Sequence, residues 1–301
     1  MGRPVGRTVA PSVSLGPSAI AFDGVTVRGA ESTPEERTMR PRLVVVGGGR
    51  MGTALVGGLV AAGWPPGSVT VVEADAGRRT SLAEILPGVP VVLAPLAADG
   101  AVVAVKPGDA ESACRSLAAV GAVRVLSIMA GVPLANLEAW LGPSAAVVRA
   151  MPNTPALVGA GVSALAGGTH AGESDVAWAE EVLGAVGSVV RLPEPSLDAA
   201  TGLSGSGPAY IFLVAEALID AGVRVGLARE VSRTLALGTI AGAARLLLDT
   251  GEEPVTLRAQ VTSPGGTTEA GVARLEANGL RRAFDEAVSA ATERSRAMSG
   301  S

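Results

Sequence analysis

One cysteine, one histidine, one lysine and one tyrosine are all that this 301-residue chain holds of those four types: Cys114, His170, Lys106 and Tyr210. A zinc site needs three or four convergent His, Cys or carboxylate ligands, and no His/Cys set exists here, so no metal is expected. A lone cysteine makes no disulfide within the chain, which fits a reducing compartment. A Cys–His or Ser–His nucleophilic pair would have to use His170, which sits in the glycine-rich stretch 167–172. A P-loop is excluded because the only lysine follows Val105 rather than a glycine. Aromatic residues make up only 2% of the chain against 48% hydrophobic residues and 40 glycines. The core must therefore come from Val, Leu, Ala and closely approaching backbones. Basic residues number 24 against 28 acidic ones, a net charge of −4, which argues against a nucleic-acid partner. If the chain is an enzyme, a bound cofactor carries the chemistry.

Long unbroken apolar runs are missing as well. The uncharged stretch 150–172 is interrupted by Pro152, Asn153 and Pro155, and 199–215 holds Thr201, Ser204, Ser206 and Pro208. Neither reads as a membrane-spanning helix, and no membrane partner is expected. Residues 1–40 are rich in Arg, Pro, Gly, Ser and Thr with no sustained period, and read as a disordered N-terminal extension. Residues 9–20 are too broken for the apolar core of a signal peptide, so a cytoplasmic protein is expected. Met39 is an alternative natural start, since Arg40-Pro41-Arg42 leads straight into the first strand.

What is present begins with Leu43-Val44-Val45-Val46, a β-branched apolar run, followed by Gly47-Gly48-Gly49-Arg50-Met51-Gly52 and an apolar stretch 53–62 of helical character. Strand, G-x-G-x-x-G and helix in that order form a dinucleotide-binding fingerprint. Gly47 permits the tight turn, Gly49 lets a pyrophosphate approach the backbone, and Gly52 lets helix and strand lie close. The helix N-terminus offers free N–H groups to the anion. The next strand, 69–72, ends at Glu73, where a carboxylate would accept ribose hydroxyls of NADH; Arg78 and Arg79 lie close enough to meet the 2′-phosphate of NADPH. The choice between NADPH and NADH stays open.

Further alternation follows: strands 101–105, 123–128, 145–149 and 162–166, with helices 109–120 and 133–141. This pattern predicts an α/β Rossmann domain, residues 41–192, with a mostly parallel sheet. Ligands bind such sheets beyond the carboxyl ends of the strands. Lys106-Pro107-Gly108, Met129-Ala130-Gly131 and Met151-Pro152-Asn153-Thr154-Pro155 should therefore face the cofactor crevice. Lys106 itself reads more readily as part of the cofactor loop than as a catalytic acid or Schiff-base amine.

From residue 193 to 301 the spacing becomes helical throughout, predicting an all-α substrate and dimerisation domain. Helices are expected over 196–222, 229–248 and 280–298, rich in Ala and Gly, which suits close packing with a second chain. Two polar loops stand out. Leu203-Ser204-Gly205-Ser206-Gly207-Pro208-Ala209-Tyr210 interrupts or starts a long helix and lacks the spacing of a nucleophile elbow. In Ser263-Pro264-Gly265-Gly266-Thr267-Thr268, Ser263 reads as a helix N-cap with Pro264 at the first helical position. Gly265, Gly266, Thr267 and Thr268 then present amides and hydroxyls suited to a small carboxylate.

Together these segments resemble the pyrroline-5-carboxylate reductase family. The resemblance rests on Gly47–Gly52, Ala104-Val105-Lys106-Pro107, Arg149–Pro155, Leu203–Tyr210 and Ser263–Thr268, in family order, and spans residues 41 to about 297. Met129 departs from the pattern, standing where the family usually has Ala. The resemblance implies NAD(P)H-dependent hydride transfer to the C=N bond of 1-pyrroline-5-carboxylate, giving L-proline, the last step of proline biosynthesis. It implies that Gly47, Gly48, Gly49, Arg50, Met51, Gly52, Glu73, Ala104, Val105, Lys106, Pro107 and Asn153 serve the cofactor. Ser263, Gly265, Gly266, Thr267 and Thr268 would hold the substrate, with Thr268 at the ring nitrogen as the catalytic candidate. It also implies homodimers or larger homo-oligomers in which one subunit's helices complete the other's site. Two other readings remain: a β-hydroxyacid or 6-phosphogluconate-type dehydrogenase, and a cofactor-binding sensor without turnover. The first resembles this plan but places a catalytic Lys on the first long helix of the second domain, where this chain has Glu216 and Asp220 and no Lys. The second would be marked by damage to the 263–268 loop, which is intact.

Overall fold

The computed structural model describes residues 42–300 and, before them, only two dipeptide strands, Ala21–Phe22 and Val25–Thr26, which pair antiparallel. Most of the extension expected to be disordered, and the start at Met39, lie outside the described residues.

The run Leu43–Val46 forms β1, and all four side chains are buried. Successive strand side chains point to opposite faces, so a strand covered on both sides reads as an unbroken apolar run. Leu43 and Val45 enter one core with Leu55, Val56 and Leu59 of α1 (Arg50–Ala61) and Leu82 of α2 (Ala76–Ile85). Trp178, Val182 and Leu183 of α5 (Glu173–Gly184) join the same layer. Val44 and Val46 enter the opposite core with Ala113, Cys114 and Leu117 of α3 (Ala110–Ala119) and Leu134, Leu137 and Leu141 of α4 (Leu134–Leu141). Each such Val or Leu contributes about 1.5–3 kcal/mol when fully buried.

The remaining strands are β2 (Val69–Val72), β3 (Val91–Val92), β4 (Gly100–Val103), β5 (Arg124–Ser127), β6 (Ala146–Met151), β7 (Gly161–Gly167) and β8 (Gly187–Arg191). They form one eight-stranded sheet in the order β3-β2-β1-β4-β5-β6-β7-β8. Every pairing is parallel except β6 with β7. The sheet is thus a Rossmann-like one, mostly parallel as the sequence predicts. The chain leaves β1 toward β2 and later returns to β4 on β1's other side, which makes the β1/β4 edge the topological switch point where ligands bind. The sequence reading names no strand at β8, which lies on the sheet edge with residues only partly covered.

Beyond β8 the chain is helical: α6 (Leu197–Ala200), a π-helical turn (Thr201–Gly205), α7 (Gly207–Arg224), α8 (Arg229–Thr250), α9 (Pro254–Gln260), α10 (Thr267–Ala277) and α11 (Leu280–Met298). Helices α7 and α8 pack together. Their approach is close enough that a Cβ at Gly222 would collide with the Ser232 hydroxyl, which donates to the Ile219 carbonyl at 2.6 Å. Helix α11 lies on α6 and the π-turn, where the Ser295 hydroxyl donates to Asp198 at 2.6 Å.

Helices α8, α9 and α10 bury little within the chain. Only Ser232 and Ala236 of α8 are buried, and no residue of α9 or α10 is. Leu213, Val231, Leu235, Leu248 and Val261 remain exposed, a larger apolar surface than a folded monomer usually presents. By length and composition two helical stretches, Glu194–Arg224 and Arg229–Thr250, are apolar enough to cross a membrane, contrary to the sequence reading. That reading weighed the Ser, Thr and Pro positions as breakers, whereas they are absorbed into a π-turn and the first turn of α7.

Candidate active site

The glycine loop after β1 is held by two close approaches, each of which needs a missing side chain, and by a backbone hydrogen bond. Gly47 has a φ of +109°, and a Cβ there would stand 2.6 Å from the Ala104 carbonyl oxygen at the end of β4. Its N–H donates to the Val72 carbonyl at 2.9 Å. Gly52 lies under Gly47, so that a Cβ would come well inside 3.0 Å of the Gly47 oxygen. Gly49, by contrast, has nothing within 4 Å of a built Cβ. It is the N-cap of α1, no side chain caps that end, and no acidic residue lies in the first turn. A loop closed on the protein side and open on the other, with uncapped helix amides behind it, fits a pyrophosphate.

Around this loop the structure gathers most of the expected cofactor residues. Glu73 follows β2, and its Oε2 accepts the Gly48 N–H at 3.1 Å while Oε1 accepts the Asp75 N–H at 3.0 Å. Arg78 donates through Nε to the Gly48 carbonyl at 2.6 Å. Arg79 turns away: its Nη1 donates to the carbonyls of Glu73 and Ala74 at 2.9 and 2.7 Å. The two arginines that read alike in sequence therefore have different roles. Ala104 is anchored by its N–H to the Val46 carbonyl at 2.8 Å. Val105 is half-buried beside it, while Lys106 and Pro107 are exposed and open a short 3-10 turn, 107–109. Arg50 is exposed and Met51 packs against the core. Met129 is buried among the side chains of the second core.

Asn153 is 8% exposed and bridges two segments. Its Oδ1 accepts the Val162 N–H at 2.8 Å and its Nδ2 donates to the Ser204 carbonyl at 3.1 Å. Asn153 thereby ties the loop after β6 to the π-turn. The π-turn is pinned from its other side, where the Tyr210 hydroxyl donates to the Gly202 carbonyl at 3.0 Å. Gly202 is packed against Thr292 and Val288 of α11, and Gly205 against Met151 at the end of β6. Leu203 projects outward, 66% exposed. π-Turns of this kind re-aim a helix at functional sites, and this one places Ser204 and Leu203 beside the strand ends.

Arg149, quoted in the sequence analysis without a role, forms a connection with Glu194. The Arg149 Nη1 lies 2.8 Å from Glu194 Oε1, which also accepts the Leu134 N–H at 2.7 Å. Arg149 is only 6% exposed in the middle of β6. A buried charge in an apolar strand needs a partner; that requirement was the available signal, but nothing in the spacing says that Glu194 meets it.

The Ser263–Thr268 loop differs from expectation in one respect. Helix α10 begins at Thr267 with Gly266 as N-cap, not at Pro264 with Ser263 as N-cap. Gly265 has φ +72°, which no helical residue adopts, and the Gly266 N–H donates back to the Ser263 carbonyl at 3.0 Å. Ser263-Pro264-Gly265-Gly266 is thus a turn with Pro second and a left-handed Gly third, the type II signature. Glu269 Oε2 accepts the Gly265 N–H at 2.7 Å. The N–H groups of Thr267 and Thr268 are left facing outward at the helix start. The loop is exposed apart from half-buried Gly266, and its hydrogen bonds among the described residues stay within the loop and its helix.

Comparison with known proteins accounts for both halves. Residues 194–298 match a family model described as pyrroline-5-carboxylate reductase dimerisation, and residues 42–131 match one described as NADP oxidoreductase, coenzyme F420-dependent. The chain is 41% identical over 261 residues to a pyrroline-5-carboxylate reductase of Pseudomonas aeruginosa, covering 85% of this chain and 96% of that one. It is 43% identical over 269 residues to a pyrroline-5-carboxylate reductase of Synechocystis, covering 86% and 99%. Among solved structures, a pyrroline-5-carboxylate reductase from Coxiella burnetii superposes with a TM-score of 0.82 at 37% identity, covering 86% of this chain and 98% of that one. A Plasmodium falciparum pyrroline carboxylate reductase with NADP bound gives 0.77 at 30% identity, with the same coverage. The chain belongs to the pyrroline-5-carboxylate reductase family.

Proposed function

We propose that this protein reduces the C=N bond of 1-pyrroline-5-carboxylate to L-proline with NADPH or NADH, using a site shared between two copies of the chain. The observation that carries the reading is the pairing of an intact glycine loop at the β1/β4 switch point with the Ser263–Thr268 turn at the start of α10. The protein is an NAD(P)H-dependent oxidoreductase acting on an imine, within proline biosynthesis. We divide it into a cofactor domain, 41–192, and a substrate and dimerisation domain, 193–301, and place it in the cytoplasm.

When bound, the nicotinamide supplies a hydride. The chain's residues then have modest tasks, because an imine protonated at nitrogen accepts hydride readily at carbon. Gly47, Gly48, Gly49, Arg50, Met51 and Gly52 seat the pyrophosphate; Glu73, Ala104, Val105, Lys106 and Pro107 border the remainder of the dinucleotide. Asn153 acts from behind, holding the β6 loop to the π-turn. The amides of Thr267 and Thr268, with Ser263 beside them and the Gly265-Gly266 turn shaping the approach, receive the substrate carboxylate, favoured by the helix N-terminus. Part of this receptor is already engaged, since Glu269 holds the Gly265 amide. Thr268 hydrogen-bonds at the ring nitrogen, directly or through a water, and orients the imine carbon. No strong acid or metal is required, which agrees with the scarcity of His, Cys and Lys.

In this reading the exposed apolar side chains of α8 and α9 are buried by a second copy, which also brings its 263–268 loop over the first copy's crevice. A mixed-dimer experiment tests the sharing. One chain carries a defective glycine loop and the other carries Thr268→Ala. A mixed dimer then contains one site with both halves intact and should show activity well above that of either parent. Absence of recovery in verified mixed dimers places both halves within one chain. The reaction itself is checked by incubating protein, NADPH and 1-pyrroline-5-carboxylate and assaying L-proline; no proline from folded protein overturns it.

A further inference from the structure

We propose that Glu269 is a positioning residue for the substrate: by holding the Gly265 amide it fixes the Ser263–Gly266 turn against the start of α10, so that Thr267 and Thr268 meet the substrate in a preformed loop. The inference rests on the reading of this loop as the substrate receptor and deepens it.

The turn has little else to hold it. Gly265 and Gly266 stand side by side, and glycine loses more conformational freedom on ordering than any other residue. Gly265 takes φ +72°, and a Cβ built on it meets nothing within 4 Å. The turn's own bond, from the Gly266 N–H to the Ser263 carbonyl at 3.0 Å, closes it without fixing its direction relative to α10. Upstream, Thr262 is tied back to α9, its hydroxyl donating to the Arg258 carbonyl at 2.6 Å. From the α10 side the turn is held by Glu269, whose Oε2 accepts the Gly265 N–H at 2.7 Å.

A Glu in the third helical position ordinarily closes a helix by accepting the N–H of the N-cap residue. Glu269 holds that position, with Gly266 as N-cap, but the Gly266 N–H is already spent on Ser263. The carboxylate therefore reaches one residue further back. Its bond spans the two-glycine joint and sets the direction in which the turn leaves the helix. The Ser263 hydroxyl is folded over the same joint, where a Cβ at Gly266 would stand 2.5 Å from its oxygen. Hydrogen bonds to an ionised acceptor are the stronger kind. Spent on Gly265, this one leaves the amides of Thr267 and Thr268 for an incoming carboxylate.

Three variants of the full chain separate the bond from the charge. Glu269→Gln keeps an acceptor oxygen at the same reach and loses the charge; Glu269→Asp keeps the charge and falls short of Gly265; Glu269→Ala loses both. At saturating NADPH, KM for 1-pyrroline-5-carboxylate should rise about fivefold or more in the Ala and Asp variants, the scale of one hydrogen bond to a charged group. In Glu269→Gln it should stay within about twofold of wild type, and kcat should change less than KM in all three. A charge that only favoured the helix N-terminus would give the reverse order, with Asp near wild type and Gln impaired. Hydrogen exchange over residues 261–270, without substrate, should quicken in the Ala and Asp variants and not in Gln. The reverse order of Gln and Asp overturns the proposal, as does a loss confined to kcat. Unchanged KM and unchanged exchange in Glu269→Ala, beside a wild type that makes proline, likewise remove the proposal and keep the enzyme. Faster exchange in Glu269→Ala with unchanged KM shows that the bond holds the loop but that the loop is not the receptor, which overturns the reading beneath it.

Discussion

Replacing Gly52 by Ala puts a Cβ closer than 3.0 Å to the Gly47 carbonyl oxygen, a distance that real contacts do not adopt. Neither side has room to yield. Gly47 is fixed by its N–H to Val72 and by the Ala104 carbonyl against its Cα, and its φ of +109° leaves no spare conformation. Gly52 is buried on α1 between that loop and the sheet. The methyl must therefore push the loop off the helix. Overpacking of this kind costs about 1–3 kcal/mol, and for a domain of this size each kcal/mol lowers Tm by roughly 2–4 °C. Gly52→Ala should lower Tm by about 3–10 °C and weaken NAD(P)H binding at least about tenfold, since the displaced amides no longer converge on the pyrophosphate. Gly49→Ala is the control. Its Cβ meets nothing and its φ of −64° suits any residue, so Tm should stay within about 2 °C. The methyl nevertheless stands on the open side of the loop, and cofactor affinity should fall about tenfold. Thermal unfolding and nicotinamide fluorescence titration read both quantities. Equal Tm losses in the two variants, or wild-type binding by Gly52→Ala, would refute the reasoning.

Thr268→Ala should lower kcat/KM roughly 10–100-fold, the scale of a lost positioning contact; steady-state kinetics with an unchanged value would remove Thr268 from the site. Breaking the Arg149–Glu194 pair by Glu194→Ala leaves a buried guanidinium and should cost about 3 kcal/mol in denaturant unfolding, more than Arg149→Met, which removes the buried charge itself. A smaller loss for Glu194→Ala would show the pair to be incidental. Burial pushes the Cys114 thiol up from 9.0 to about 11. The folded state therefore favours the neutral thiol, a contribution complete below pH 9 and lost as pH rises toward 11. Aromatic disulfide reagents at pH 8 should label Cys114 only after unfolding, and stability should fall more steeply above pH 9 than in Cys114→Ala.

The cofactor half of the site was legible because its constraints are local. Gly47, Gly49 and Gly52 differ in what a side chain would strike, and strand–loop–helix order alone places them. The buried runs 43–46 and 100–103 likewise read directly as strands covered on both faces. Legibility failed where a decision depended on distant partners. Arg78 and Arg79 are neighbours in sequence, yet one faces the loop and the other caps carbonyls. Asn153 looked like a cofactor ligand, and its amide is engaged by Val162 and Ser204. Helix α10 starts three residues later than the Ser-Pro pattern suggested because Gly265 takes a left-handed turn. The reversal of β7 against β6 also left no mark, since alternation reports coverage of a strand's faces and not its direction.

The central claim is hydride transfer from the nicotinamide to the imine carbon. It is tested most directly by supplying NADPH deuterated at both C4 positions with 1-pyrroline-5-carboxylate and examining the proline by mass spectrometry and NMR. The account predicts one deuterium per molecule, carried on the δ-carbon, with oxidised cofactor formed in equal amount. Unlabelled proline, or cofactor oxidation without proline, would contradict it.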